Sequence, residues 1–97
     1  MYSVKFHKEV EKDLEKLDAN SRILFTKTLG KILQSPELGK DLRNTGGIDL
    51  SGYKKMYFDG KKKRIVYKVQ EQEVIIYVIS VGKREKMDVY KEAFKRK

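Results

Sequence analysis

The spacing of apolar residues changes along the chain, and each change indicates a different kind of secondary structure. Apolar and polar positions alternate in residues 2–6, which predicts a short strand. From Lys8 onward the apolar positions recur with helical spacing, which predicts a first helix. A polar break follows it, and a second amphipathic stretch predicts a helix that is capped by Asn20 or Ser21 and ends before Pro36.

The period of β-strands returns in the second half of the chain. Residues 53–58 and 63–69 predict two strands, and Asp59-Gly60 between them is a strong hairpin signal. Residues 73–81 are apolar on both faces, so this strand is expected to be central in the sheet and covered on both sides.

A last helix is predicted over Asp88–Arg96, after an apparent break at Gly82, and the glycine-rich residues 39–52 are expected to be irregular. The predicted order is β-α-α-β-β-β-α. Strands that follow a helical hairpin indicate an α+β fold with a mostly antiparallel sheet and a short C-terminal helix. The length suits a single domain over residues 1–97.

Positive charge is concentrated in the second half of the chain. Residues 1–52 hold nine Lys and Arg against eight Asp and Glu, whereas residues 53–97 hold fourteen against six. The net charge of +9 therefore comes almost wholly from the region of the predicted strands. Such a charge balance suggests a polyanionic partner, and nucleic acid is the first candidate. Charge alone does not distinguish this interpretation from a lysine-rich surface that is simply solvated.

Two arginines stand at the ends of strand-like runs. Arg64 enters one apolar strand, and the longest apolar run ends in Gly82-Lys83-Arg84, with Tyr90 shortly after. A rigid pair of guanidinium groups can bind a phosphate. The competing interpretations are a structural salt bridge from Arg64 to Glu73 or Glu85, and simple core packing for Tyr90.

The composition also narrows the chemistry. The chain has no cysteine and one histidine, and its carboxylates are scattered, so we expect no cofactor and no metal site. No apolar segment resembles a secretion signal or a membrane span, which favours a cytoplasmic location.

Several stretches resemble RelE-type toxins of the RelE/ParE superfamily of toxin–antitoxin systems. The most specific is the run from Val78 through Gly82-Lys83-Arg84 to Asp88-Val89-Tyr90. The Leu42-Arg43 pair, the Tyr53-Lys54-Lys55 start of a strand and the Arg64-Ile65-Val66-Tyr67 run are similar as well. The resemblance extends over essentially the whole chain.

This resemblance implies a ribosome-dependent mRNA endonuclease that inhibits translation, in which the 2′-hydroxyl attacks the phosphodiester. It implies three partners: a cognate antitoxin protein, the ribosome with its mRNA, and operator DNA reached only through the antitoxin complex. No membrane is involved. A ParE-like toxin directed at DNA gyrase, or a catalytically weakened module that binds RNA or antitoxin, stays open.

The resemblance also implies roles for individual residues. Arg64 would stabilise the phosphate, and Arg84 would sit opposite the leaving group as its stabiliser or as the acid that protonates it. Tyr90 would stack on or orient the nucleotide, or assist proton transfer. The resemblance also implies a contact of Arg43 with the RNA backbone. The charge of the hairpin tip and of the end of the long apolar run adds Lys61, Lys62, Lys63 and Lys83 as expected RNA-binding residues.

The family's pair of lysines, two residues apart on one strand, is not reproduced here. With Tyr53 as the anchor of the comparison, Lys54 is the first lysine and Met56 takes the second place. With Arg64 as the anchor, Lys55 is first and Tyr57 second. Adjacent lysines in a regular strand point to opposite faces unless a bulge intervenes. The general base could therefore be Lys54, Lys55 or a lysine of the hairpin tip.

Overall fold

Helices and a mixed sheet account for most of the chain. The computed structural model describes residues 2–45 and 47–97. Its helices are α1 (Val10–Glu15), α2 (Ala19–Gln34) and α3 (Asp88–Arg96). Its strands are β1 (Ser3–Phe6), β2 (Lys40–Asp41), β3 (Asn44–Thr45), β4 (Ile48–Asp49), β5 (Lys54–Phe58), β6 (Lys63–Gln70) and β7 (Ile75–Lys83).

Five of the strands form one sheet in the order β1-β7-β6-β5-β2. The pair β1 and β7 is parallel, and the other pairs are antiparallel. Within the described residues, the short strands β3 and β4 form a separate two-stranded sheet. The prediction of an α+β fold with a mostly antiparallel sheet is therefore confirmed.

The sheet separates two apolar clusters, and β7 contributes to both. On one face, residues of α1 and α2 pack against Phe58, Ile65 and Val78. On the other face, Val89, Tyr90 and Ala93 of α3 pack against Val66 and Ile79. The expectation that β7 is central and covered on both sides is confirmed, because its inward residues are almost completely buried on either face.

The helix boundaries differ from the sequence-based expectation at the first two helices. The cap of α2 is Asp18, not Asn20 or Ser21, and its carboxylate accepts a hydrogen bond from the Ser21 N–H at 2.7 Å. Aspartate is among the strongest N-cap residues, and the cap lowers the pKa of Asp18. The first helix begins at Val10, not Lys8. No helix within the described residues combines the length and apolar character needed to cross a membrane.

The sheet also differs in detail. Residues 39–52 are not wholly irregular, since β2, β3 and β4 lie within them. The central strand begins at Ile75, after a short 3₁₀ turn over Glu71–Glu73, and it continues through Gly82 to Lys83. Gly82 therefore does not end the strand. A Cβ at this position would lie 3.9 Å from Val89, an ordinary van der Waals distance, so the packing there does not require glycine.

A β-bulge lies in the middle of β7. Val66 pairs with Ser80 and Tyr67 pairs with Val78, so Ile79 is an extra residue between the two pairs. Ile79 belongs to the α3-side cluster, and the Ser80 hydroxyl donates to the Val89 carbonyl at 2.7 Å. Two consecutive side chains therefore face α3.

A buried tyrosine ties the chain before β2 to the sheet. The Tyr67 hydroxyl donates to the Pro36 carbonyl at 2.8 Å and accepts from the Gly39 N–H at 3.1 Å. Burial raises the pKa of Tyr67 to about 12. Gly39 is required by this contact, because a Cβ there would lie 2.2 Å from the tyrosine oxygen and 2.9 Å from the Lys55 carbonyl.

Replacing Gly39 by alanine is expected to lower the free energy of unfolding by about 1–3 kcal/mol, the usual cost of forcing an extra carbon into a filled site. Gly30→Ala is the matched control. Gly30 lies within α2 with nothing near its Cβ position, so alanine should stabilise the protein by about 1 kcal/mol. Urea unfolding of both variants measures the difference, and equal effects would contradict the packing argument.

Candidate active site

The hairpin of β5 and β6 places three functional side chains on one face of the sheet. Lys55 and Tyr57 alternate along β5, and Arg64 lies directly opposite Tyr57 in the antiparallel register. The Arg64 guanidinium carbon is 3.8 Å from the centre of the Tyr57 ring. Stacking of this kind fixes the plane of the guanidinium group while leaving its charge available.

Arg64 is buried, with an exposed fraction of 3%. Its Nε donates to the Tyr90 hydroxyl at 2.8 Å, and its Nη1 donates to the Lys61 carbonyl at 2.7 Å. Neither Glu73 nor Glu85 pairs with it, because none of the ion pairs formed by the described residues includes Arg64. A buried cation held only by neutral groups favours the binding of an anion at its remaining side.

Tyr90 has two roles in the structure. Its ring belongs to the core cluster under α3, as the core-packing interpretation expected, and its hydroxyl holds Arg64. Phe94, in contrast, is a partly exposed residue of the same helix. The contact with Arg64 makes Tyr90 a group that positions the guanidinium.

The segment between β7 and α3 places Arg84 near Arg64 and Tyr57. The Arg84 N–H donates to the Lys62 carbonyl at 3.3 Å, which ties this segment to the hairpin. Lys86 and Met87 both have left-handed backbone angles, with φ of 55° and 62°. Such angles are costly for residues other than glycine, and they are often found at functional sites.

These elements enclose an open cavity of about 460 Å³. Cations and hydrogen-bonding groups dominate its wall, which consists of Lys55, Tyr57, Arg64, Arg84, Glu85, Lys86, Met87 and Tyr90. Glu85 is the only carboxylate among the described residues that line it. The cavity is therefore suited to a phosphate group.

Tyr57 is the residue of this cavity whose pKa the surroundings clearly change. Its hydrogen bond with Lys55 lowers the pKa of Tyr57, and the positive charges of Lys55, Arg64 and Lys40 act in the same direction. The Lys55 Nζ is 5.5 Å from the centre of the ring. The local field therefore stabilises a phenolate at this position.

Lys54 lies outside the cavity. It points to the other face of β5 and forms an ion pair with Asp41 at 2.7 Å. A bulge that would turn both lysines to one side is not present, because β5 pairs with β6 in regular register. The register anchored at Arg64 is the one that the faces of the strand support, with Lys55 and then Tyr57 on the cavity side.

The other basic residues surround the cavity. A neighbouring hollow of about 460 Å³ is lined by Lys61, Lys62, Lys63, Lys83, Arg84 and Glu85. The charge of Lys63 is partly neutralised, because its ammonium group pairs with Asp59. The Asp59 carboxylate also accepts a hydrogen bond from the Ser21 hydroxyl. Arg43 lines a smaller hollow together with Lys55 and Tyr90, so it adjoins the cavity from the other side.

Tyr57 and Lys86 are residues of the cavity that the sequence motifs did not single out. Tyr57 appeared there only as the residue in the second lysine place when Arg64 is the anchor, with no role of its own. Tyr57 is two residues from Lys55, so the two side chains lie on the same face of the strand. The sequence could therefore have identified Tyr57 once it was known that Lys55 faces the cavity. Lys86 had no such signal, since its position depends on two consecutive left-handed residues.

Comparisons with known proteins agree on one family. Residues 4–87 match the family model described as the ParE toxin of type II toxin–antitoxin systems, parDE. The mRNA interferase toxin RelE of Escherichia coli strain K12 is 34% identical over 96 residues, which cover 98% of this chain and 96% of that protein. The mRNA interferase RelE of Shigella flexneri matches equally well.

Solved structures are similar over the same length. A variant of the E. coli toxin RelE in the free state matches with a TM-score of 0.78 and 33% identity, covering 98% of this chain and 96% of that one. The toxin of the intact E. coli RelBE toxin–antitoxin complex matches with a TM-score of 0.70 and 32% identity, covering 86% and 96%.

Proposed function

The chain belongs to the RelE/ParE family of toxins of type II toxin–antitoxin systems, and we propose that it is an mRNA interferase whose chemistry takes place in the cavity around Arg64. Both curated relatives that are 34% identical carry the name mRNA interferase. The reaction is endonucleolytic cleavage of mRNA, with the 2′-hydroxyl as the attacking group.

The observation that best supports this activity is the state of Arg64. A buried guanidinium that is held at Nε and Nη1 by neutral oxygens, and that forms a wall of an open cavity, is preorganised for an anion. Charge that develops on the phosphorane during cleavage would be stabilised there without reorganisation of the site.

The neighbouring residues have complementary roles in the proposed reaction. Arg84, exposed on the opposite element of the cavity, neutralises charge at the leaving 5′-oxygen. Lys55 contributes a further cation, and Tyr90 holds Arg64 in place. The basic residues of the adjoining hollows bind the RNA backbone on either side of the cleaved linkage, namely Arg43, Lys61, Lys62, Lys63 and Lys83.

The substrate is proposed to be mRNA bound in the ribosome, in the cytoplasm. A +9 protein with cations on the hairpin tip and on the segment after β7 has the charge needed to enter an RNA-lined site. The cavity is open to solvent, so it can accept an unpaired nucleotide that the ribosome holds.

A small antitoxin is the proposed regulatory partner. The similar E. coli structure is that of a toxin–antitoxin complex. The positive charge of this chain favours a partner with an acidic binding segment. Operator DNA is proposed, from the resemblance to this family, to be bound only through the complex. Purification of the chain from its native operon should yield a stable complex with an acidic protein; a partnerless monomer would contradict the proposal.

Induced expression in a bacterial host tests the activity directly. Translation should stop first, and mapping of RNA 5′ ends should reveal cuts within codons of ribosome-bound messages. The name of the matching family model keeps a ParE-like toxin as the second candidate. Arrest of DNA replication with intact mRNA would favour that candidate, and normal growth with abundant folded protein would indicate a module that only binds.

A further inference from the structure

We propose that the phenolic oxygen of Tyr57 is the general base that takes the proton from the attacking 2′-hydroxyl. This assignment rests on the proposed function. It adds a catalytic residue to that function, because neither the motifs nor the relatives' names assign a role to this tyrosine. The base of an RNA-cleaving site must lie beside the group that holds the phosphate. Tyr57 meets this requirement through its position opposite Arg64.

The geometry distinguishes Tyr57 from the other groups that could accept a proton. Lys54 points away from the cavity and is paired with Asp41. Lys63 is paired with Asp59. The Tyr90 hydroxyl accepts a hydrogen bond from the Arg64 Nε–H, and the Tyr90 ring is buried in the core under α3. Tyr57, in contrast, lines the cavity and has its ring stacked under the guanidinium group.

Lys55 is needed in its protonated form in this arrangement. Its ammonium group lies 5.5 Å from the centre of the Tyr57 ring, and its interaction with the hydroxyl lowers the pKa of Tyr57. A lysine that acted as the base would have to be neutral and would lose that role. The two side chains therefore form a pair in which Lys55 supplies the charge and Tyr57 supplies the acceptor oxygen.

The proposed step is balanced in protons and bonds. The Tyr57 phenolate takes the 2′-hydroxyl proton, the 2′-oxygen forms a bond to phosphorus, and the bond from phosphorus to the 5′-oxygen breaks. Water in the open cavity protonates the 5′-oxygen, and Tyr57 returns its proton to solvent. The products are a 2′,3′-cyclic phosphate and a free 5′-hydroxyl. Arg64 and Arg84 compensate the charge of the phosphorane.

The charges around Tyr57 set the direction of the pH dependence. The groups that face it from β2, β5, β6, α3 and the segment before α3 are Lys40, Lys55, Arg64, Tyr90, Arg84, Glu85 and Lys86. Glu85 is the one carboxylate among these described residues, and the partial burial of the phenol also acts against its ionisation. Because the base acts when deprotonated, cleavage should rise with pH until it levels off below the ordinary tyrosine value of 10.0.

The test compares Tyr57→Phe with the wild-type protein in single-turnover cleavage of ribosome-bound mRNA across a pH series. Phenylalanine keeps the ring beneath Arg64 and removes only the oxygen. The expected result is a loss of about 100-fold in kcat at constant KM, with the rise of rate with pH abolished. Lys55→Met should instead retain the rise and shift it to higher pH.

Tyr53→Phe is the matched control, because Tyr53 is a buried tyrosine next to the same strand whose pKa is raised by burial. It should cleave within about twofold of wild type, well below the effect of losing a catalytic base. Titration of phenolate absorbance gives an independent measurement. The difference between wild type and Tyr57→Phe should be a step centred below 10.0, and Lys55→Met should raise its midpoint.

The outcomes separate this inference from the function on which it rests. A wild-type chain that leaves ribosome-bound mRNA intact overturns both. A Tyr57→Phe variant that cleaves at the wild-type rate with an unchanged pH profile overturns only the role of the base. If Tyr57→Phe retains activity and Tyr57→Leu loses it, the ring serves as a platform for Arg64 and the proton-transfer role is wrong.

Discussion

Replacing Arg64 by alanine is expected to lower the rate of mRNA cleavage by about 100- to 1,000-fold, the usual effect of removing one preorganised donor from the site of developing charge. The guanidinium group is the only buried cation among the described cavity residues, and its orientation is fixed by Tyr57, Tyr90 and the Lys61 carbonyl. Single-turnover cleavage of ribosome-bound mRNA measures the loss.

Two further variants make this expectation specific. Arg64→Lys keeps the charge but removes the planar fork, so its activity should lie between those of wild type and Arg64→Ala. Arg22→Ala removes an arginine that donates to the Leu14 and Glu15 carbonyls far along the chain, and it should leave cleavage unchanged. A folded Arg64→Ala variant with full activity and full toxicity would show that the site is elsewhere.

Replacing Asp13 by alanine is expected to lower the free energy of unfolding by about 3–5 kcal/mol, which is typical for breaking a buried ion pair. Arg96 of α3 donates to both Asp13 oxygens, at 2.6 and 2.9 Å, and also to the Ile79 carbonyl. The same carboxylate accepts from the Val81 N–H. Its loss would leave a largely buried guanidinium and a backbone donor of β7 without their partner.

The exposed pair of Lys12 and Glu9 is the matched control for Asp13. Glu9→Ala should change stability by less than about 1 kcal/mol, because solvent screens that pair. In a double-mutant cycle, Asp13→Ala with Arg96→Met should recover part of the loss, since the unpaired charge is removed as well. Equal losses for Asp13→Ala and Glu9→Ala in urea unfolding would contradict the assigned role of the pair.

The sequence predicted most of the elements because their patterns are local. The helix over Asp88–Arg96 has the predicted bounds, and the hairpin at Asp59-Gly60 joins β5 to β6 as expected. Both signals depend on residues that are close in the chain. The cap of α2 was misplaced because Asp18, Asn20 and Ser21 all suit such a position, and only the backbone geometry distinguishes them.

The candidate site was harder to predict, because its residues are distant from one another in the sequence. The structure brings Arg64, Arg84, Tyr90 and Lys55 to one cavity, and their catalytic roles stay predictions. The sequence did not determine which of Lys54 and Lys55 faces the cavity, because β5 carries polar or amphipathic residues on both faces. Pairing with β6 decided it, since Tyr57 lies opposite Arg64 while Phe58 packs against Phe25 on the other face.

The extra residue in β7 has a consequence for how this gene can change in length. Deleting Ile79 would restore a strict period of two in which Ser80 still faces α3 and Val81 still faces α1, so both layers would be kept and the loss would be the apolar contact of Ile79. The arginine at the end of the strand would stay at the cavity. A single deletion at the bulge should therefore cost less than one in the regularly paired part of the sheet, and the hairpin tip, where the chain is exposed, should tolerate changes of length in either direction.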